Sequence, residues 1–109
     1  MTNYAIGRQF EYEIIRKLKE LHPEALVMRT AGSHTAFDVW AIVPNHLDPT
    51  TGSLHLIQAK TQKTKTPTKQ NREEWEKTKL IKIPTVLTVR KEFWIKLPKN
   101  QIIAWGEEK

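Results

Sequence analysis

The chain has 109 residues, 39% of them hydrophobic, and carries 18 Lys and Arg against 12 Asp and Glu for a formal net charge of +6. That length suits one domain spanning residues 1–109 and is too short for two. The absence of Cys excludes disulfide scaffolds, thiolate zinc sites and cysteine nucleophiles, so any metal must be held by oxygen or imidazole.

The first predicted element is an amphipathic helix from about Tyr4 to Leu21, stopped by His22-Pro23. At about 100° per residue, Ile6, Phe10, Leu21, Ile14, Leu18 and Ile15 fill an arc of roughly 180°. Glu11 falls inside that arc between Leu18 and Ile15, whereas Glu13 lies just outside it beside Ile6. A carboxylate on the buried side of a helix needs a partner, and Arg8 or Arg29 could supply one. The first twenty residues are too mixed for a signal peptide, and no apolar run approaches the ~18 residues of a membrane span. A soluble, cytoplasmic protein without a membrane partner is expected.

Three strands follow: Ala25 to Thr30, Phe37 to Val43 and Leu54 to Lys60, the last two joined as a hairpin by the turn-rich residues 44–53. The second strand is almost wholly apolar, as a central strand would be, and Asp38 is its single charge. If paired residue numbers in the hairpin sum to an even value near 96 or 98, Asp38 stands opposite Gln58 or Lys60 and the three polar groups share a face. An odd sum scatters them.

Beyond the third strand the charge changes character. Residues 1–55 hold five Lys/Arg and six Asp/Glu, net −1, and residues 56–109 hold thirteen and six, net +7. Lys60, Lys63, Lys65, Lys69 and Arg72 occur without an intervening acid among Thr, Gln and Asn, a pattern suited to a phosphate backbone and also met in solvated loops. Pro67-Thr68 predicts the start of a mostly polar helix from Lys69 to about Lys79, anchored by Trp75. Pro84 to Val89, Phe93 to Leu97 and Gln101 to Trp105 read as further strands. The order predicts an α/β (α+β) fold with a mixed central sheet flanked by helices. It lacks the glycine-rich turn and repeated βαβ units of a Rossmann fold. Trp40 and Trp105 are expected in core or dimer packing and Trp94 on an exposed face.

Glu11, Asp38 and the Gln58-Ala59-Lys60 segment are polar groups in apolar surroundings. Two carboxylates, an amide oxygen and the Ala59 main-chain carbonyl suit a hard cation such as Mg²⁺, for which Mn²⁺ can substitute. Lys60 would then face the attacking water or the phosphate. Each residue has a plainer reading: Glu11 as an ion-pair partner, Asp38 as a turn cap, Lys60 as a strand-end charge.

In order, Gly7-Arg8-Gln9-Phe10-Glu11, Arg29-Thr30-Ala31-Gly32-Ser33, Phe37-Asp38-Val39-Trp40-Ala41 and Gln58-Ala59-Lys60 resemble the motifs of archaeal-type Holliday junction resolvases of the PD-(D/E)XK nuclease superfamily. The resemblance covers residues from about 5 to 60, with Ile83 to Val89 similar to a later strand. It implies a restriction-endonuclease-like core, Mg²⁺-dependent cleavage of four-way DNA junctions, and a homodimer, since a two-fold symmetric junction needs two paired cuts. By motif position it makes Glu11, Asp38 and Gln58 the metal-site residues, Lys60 the catalytic lysine, and Arg29 and Ser33 neighbours of the scissile phosphate. His34 follows Ser33 and is placed with Lys63, Lys65, Lys69 and Arg72 on the DNA side. The departure is Gln58, where many members carry Glu; Mrr-like restriction endonucleases share the Gln-X-Lys form. An Mrr-like duplex endonuclease and a non-catalytic nucleic-acid-binding protein that kept the fold are the alternatives.

Overall fold

A computed structural model describes residues 3–30, 37–48, 51–83 and 88–107. Helix α1 spans Asn3–Leu21 and is followed by strands β1 (Leu26–Arg29), β2 (Val39–Pro44) and β3 (Gly52–Thr61). Helix α2 (Lys69–Lys79) leads to β4 (Thr88–Lys96), and a short 3-10 turn, Pro98–Asn100, leads to β5 (Ile102–Gly106). The strands form one mixed sheet in the order β1-β2-β3-β4-β5, with α1 on one face and α2 on the other. Only the β3–β4 pair is parallel, and α2 lies in the connection between them.

The α1 stripe docks on the sheet through Phe10, Ile14 and Leu18, which meet Val27, Val39, Ala41, Ile57 and Trp94. Ile6, at one margin of the predicted arc, and Leu21, near its centre but the last residue of α1, are exposed instead. At the C-terminal end of α1 the His22 amide donates to the Leu18 carbonyl at 2.8 Å, and Pro23 follows. On the other face Trp75 packs against Phe93, Ile95 and Leu97, with Trp105 stacked on Phe93 at 5.8 Å. Thr68 caps α2 as its sequence predicts, its hydroxyl accepting from the Asn71 amide at 3.1 Å.

The hairpin register pairs Val39 with Ile57 and Trp40 with Leu56, a sum of 96 that holds from Pro44 to Val39; at Asp38 it breaks, the Asp38 amide donating to the Ile57 carbonyl, so the expected pairing of Asp38 with Gln58 is not made. Backbone contact is closest at the loop end. A Cβ added to Gly52 would stand 2.6 Å from the Val43 carbonyl oxygen, so only glycine fits there.

Two expectations are corrected in the C-terminal half. The strands predicted over residues 84–89 and 93–97 are joined in β4, which runs unbroken from Thr88, because the charged Arg90-Lys91-Glu92 stretch has partners inside the sheet. Residues 84–87 lie outside the described residues. Trp94, expected to be exposed, is 7% exposed and belongs to the α1-side core; register places it beside Ala59, on the face that α1 covers. Among the described residues, no helix is long and apolar enough to cross a membrane.

Candidate active site

The first-half motifs meet at one end of the sheet, where β1 and β3 end and β2 begins. Thr30, just past β1, donates its amide to the Asp38 carbonyl at 2.9 Å and its hydroxyl to the Phe37 carbonyl at 2.7 Å, tying the two strand ends together. The Asp38 amide donates to the Ile57 carbonyl at 2.9 Å, and its Oδ2 accepts from the Ala59 amide at 2.8 Å. Amide and carbonyl of one strand residue point to the same lateral edge, so the Ala59 carbonyl also points toward the Asp38 side.

Glu11 reaches the same corner from α1. Its Oε1 stands 3.5 Å from Arg29 Nη1, and the Arg29 guanidinium lies over the Tyr12 ring at 5.3 Å. The plainer reading of Glu11 as a partner of Arg29 is therefore part of the structure, but this pair leaves the carboxylate short of positive charge. Burial and the neighbouring Asp38 push the Glu11 carboxyl above its ordinary pKa, with Arg29 opposing them. Burial likewise pushes Asp38 up, against the Ala59 hydrogen bond and the Lys60 charge. Each of these half-buried carboxylates thus has less compensation among the described residues than its burial demands, and Glu11 also feels the Asp38 charge.

Gln58 and Lys60 share the α2 face of β3, and their contacts run to α2. The Gln58 amide meets the Thr78 hydroxyl at 2.6 Å, and Lys60 Nζ stands 3.1 Å from Glu74 Oε2. Glu74 Oε2 is closed to solvent and has no hydrogen bond of acceptable angle, so its pairing with Lys60 is Coulombic. Lys60 is accordingly shared between Glu74 and the field at Asp38. Among the described residues no three His, Asp or Glu side chains stand together as a cation cage. A hard cation here would take two carboxylates, an amide oxygen and a main-chain carbonyl, a donor set that fits Mg²⁺ with water completing its shell.

The basic loop is more ordered than its composition suggests. Gln62 Nε2 contacts the Thr64 carbonyl and hydroxyl, both at 2.9 Å, and the Thr66 carbonyl at 2.5 Å, and Gln62 Oε1 accepts from Asn71 Nδ2 at 2.7 Å. Residues 62–66 are thereby pinned to the first turn of α2, and Lys63 and Lys65 project into solvent. Lys69 and Arg72 turn away from them. They line a groove of about 610 Å³ with Trp75 and Trp105, and Arg72 lies 6.0 Å from the Trp105 ring. The structure therefore splits the predicted DNA-binding cations into a loop pair and a groove pair. Ser33 and His34 lie outside the described residues.

Glu74, Thr78, Gln62 and Asn71 were not singled out by motif reading. A signal for two of them exists: Asn71, Trp75 and Thr78 repeat at i, i+4 and i+7 and are the buried residues of α2, so polar groups flank the anchoring Trp on its inner face. Neither a scan of protein-family models nor a search of curated proteins matches this chain.

Proposed function

We propose that the chain is a metal-dependent, structure-selective DNA endonuclease that resolves four-way junctions by paired phosphodiester hydrolysis as a homodimer. The proposed fold is the restriction-endonuclease-like core of archaeal-type Holliday junction resolvases. The observation that carries this reading is the convergence of Glu11 and Asp38, both raised in pKa, at a corner that Lys60 also influences. A divalent cation relieves such a pair, and perturbed carboxylates gathered in one place are a mark of functional sites. The helix–three strands–helix–strand order, with β3 and β4 parallel, supports the core.

Asp38, the Ala59 carbonyl, the Gln58 amide oxygen and Glu11 would hold Mg²⁺ or Mn²⁺. Such an ion supplies a polarised phosphate and an acidified water. Lys60 contributes a compact cation beside the phosphate once a polyanion competes with Glu74 for it. Arg29 adds charge from the α1 side, and Lys63 and Lys65 give the DNA backbone a preorganised contact next to the cut.

The test is cleavage of synthetic four-way junctions, linear duplex and single strands, with and without Mg²⁺. Symmetric nicks on the junction alone, requiring Mg²⁺, are the expected result. Duplex cleavage would favour the Mrr-like reading. Tight junction binding without any cleavage would favour a non-catalytic binding protein, a reading that gains support from the neutral Gln58 and from Lys60 lying against Glu74.

A further inference from the structure

Thr78 sits on the inner face of α2, 3% exposed, with its hydroxyl at the end of β3. Its Oγ1 is 2.7 Å from the Glu74 carbonyl and 2.6 Å from Gln58 Oε1. Both of those oxygens are acceptors, and a threonine hydroxyl has one proton. The bond to the i−4 carbonyl is the one a helical threonine makes within its own helix. With that proton committed, the group 2.6 Å away must be a donor, and the only donor on the Gln58 side chain is its NH₂. Turning the amide over gives each of the two contacts its own proton: Nε2 donates to Thr78 Oγ1, and Thr78 donates to the Glu74 carbonyl.

We propose that Thr78 is a positioning residue that fixes which end of the Gln58 amide faces the metal site, a role that rests on the nuclease reading above. With Nε2 held toward α2, Oε1 is the end left for the corner where Asp38 accepts from the amide of Ala59, the residue after Gln58. A carboxylate at this position would have no wrong end. A glutamine does, because an N–H turned toward a cation repels it. The neutral residue that departs from the commonest motif therefore requires an orienting partner, and α2 provides it.

The test is Mn²⁺ binding measured by electron paramagnetic resonance on the whole chain, with the Mg²⁺ dependence of junction cleavage alongside. Thr78→Val and Thr78→Ser are each made with Gln58 present and with Gln58→Glu. Thr78→Val should weaken Mn²⁺ binding about 10-fold, in the range for groups that orient metal ligands, while Thr78→Ser restores it to within about twofold. In the Gln58→Glu background the Thr78→Val effect should shrink below about threefold, because either carboxylate oxygen can face the ion. Unchanged binding in Thr78→Val overturns the role, and so does an equal loss in both backgrounds, which would mark a packing effect. Wild-type protein that binds Mn²⁺ but cleaves no DNA overturns the nuclease reading and leaves the Thr78 comparison standing. Wild-type protein that binds no Mn²⁺ overturns both.

Discussion

Asp38 and Glu92 are carboxylates on opposite edges of β3, both at the level of Ile57, and their surroundings differ in kind. Burial pushes Glu92 up, yet its surroundings more than reverse this and leave it below its ordinary pKa. His55 Nδ1 lies 2.7 Å from Glu92 Oε2, Trp94 Nε1 donates to Oε1 at 3.0 Å, and Arg90 Nε stands 3.7 Å away. Ser53 closes the chain of contacts on the other ring nitrogen of His55 at 3.0 Å. Asp38 receives one amide and a distant share of Lys60, and its pKa stays raised. Among the described residues, Glu92 is thus a carboxylate whose demand the fold meets, and Asp38 one whose demand is left open. The contrast teaches how an acid satisfied by its fold differs from one proposed to bind a cation: by the sign of what remains after burial has been opposed.

The sharpest way to break this contrast is Asp38→Asn. Cleavage of a four-way junction should fall by at least ~10²-fold, while junction affinity, set by phosphate contacts elsewhere, stays within about twofold. Stability should move the other way. A carboxyl whose folded pKa is raised favours folding at acid pH, and that contribution is lost as pH rises through the folded value, so the ionised group is a cost at neutral pH. The metal-free variant should therefore melt above wild type at pH 7, and a melting curve at or below wild type would show that Asp38 is satisfied after all.

Glu92→Gln tests the other side. Loss of the charge that faces His55 and Arg90 should cost about 2 kcal/mol in denaturant unfolding and leave junction cleavage unchanged. Because the folded pKa of Glu92 is lowered, its contribution is present above the ordinary carboxyl range and lost as pH falls through the folded value. Wild-type stability should accordingly drop on acidification through and below the ordinary Glu range, and the variant should show a shallower drop. Equal acid sensitivity in both proteins would remove Glu92 from the account.

The smallest effect concerns the pinned loop. Lys63→Ala and Lys65→Ala should each lower the slope of log affinity against log salt by about 0.9 if each lysine displaces a counterion from duplex DNA. Slopes equal to wild type would make these residues solvated charges only.

Much of the fold is legible in the sequence where signals are local. The α1 stripe and the Thr68 cap depend on residues a few positions apart, whereas the hairpin sum, open in the sequence between 96, 98 and an odd value, is fixed only by the pairing itself. The unbroken β4 was not legible, since Arg90-Lys91-Glu92 resembles a loop until His55, Trp94 and Glu107 supply partners. Trp94 was misplaced for the same reason: its face is decided by parallel pairing with β3, which no local pattern encodes. At the site, Glu11, Asp38, Gln58 and Lys60 are visible as charged or polar residues in apolar stretches. Of the α2 side chains that touch Gln58 and Lys60, Thr78 is marked only by its spacing from Trp75, and Glu74 resembles an ordinary residue of a polar helix.

The parallel pairing of β3 and β4 has one more consequence, for the growing or partly folded chain. β2 reaches β3 through a hairpin, but β4 reaches it only after the chain has made α2, so one edge of β3 from Ser53 to Thr61 waits for its partner. An unpaired edge of a central apolar strand is a template for self-association. Lys60, Lys63 and Lys65 stand at the end of that edge, where positive charge discourages a second copy from adding to it. The lysines proposed to contact DNA thus also set positive charge at the open edge of β3.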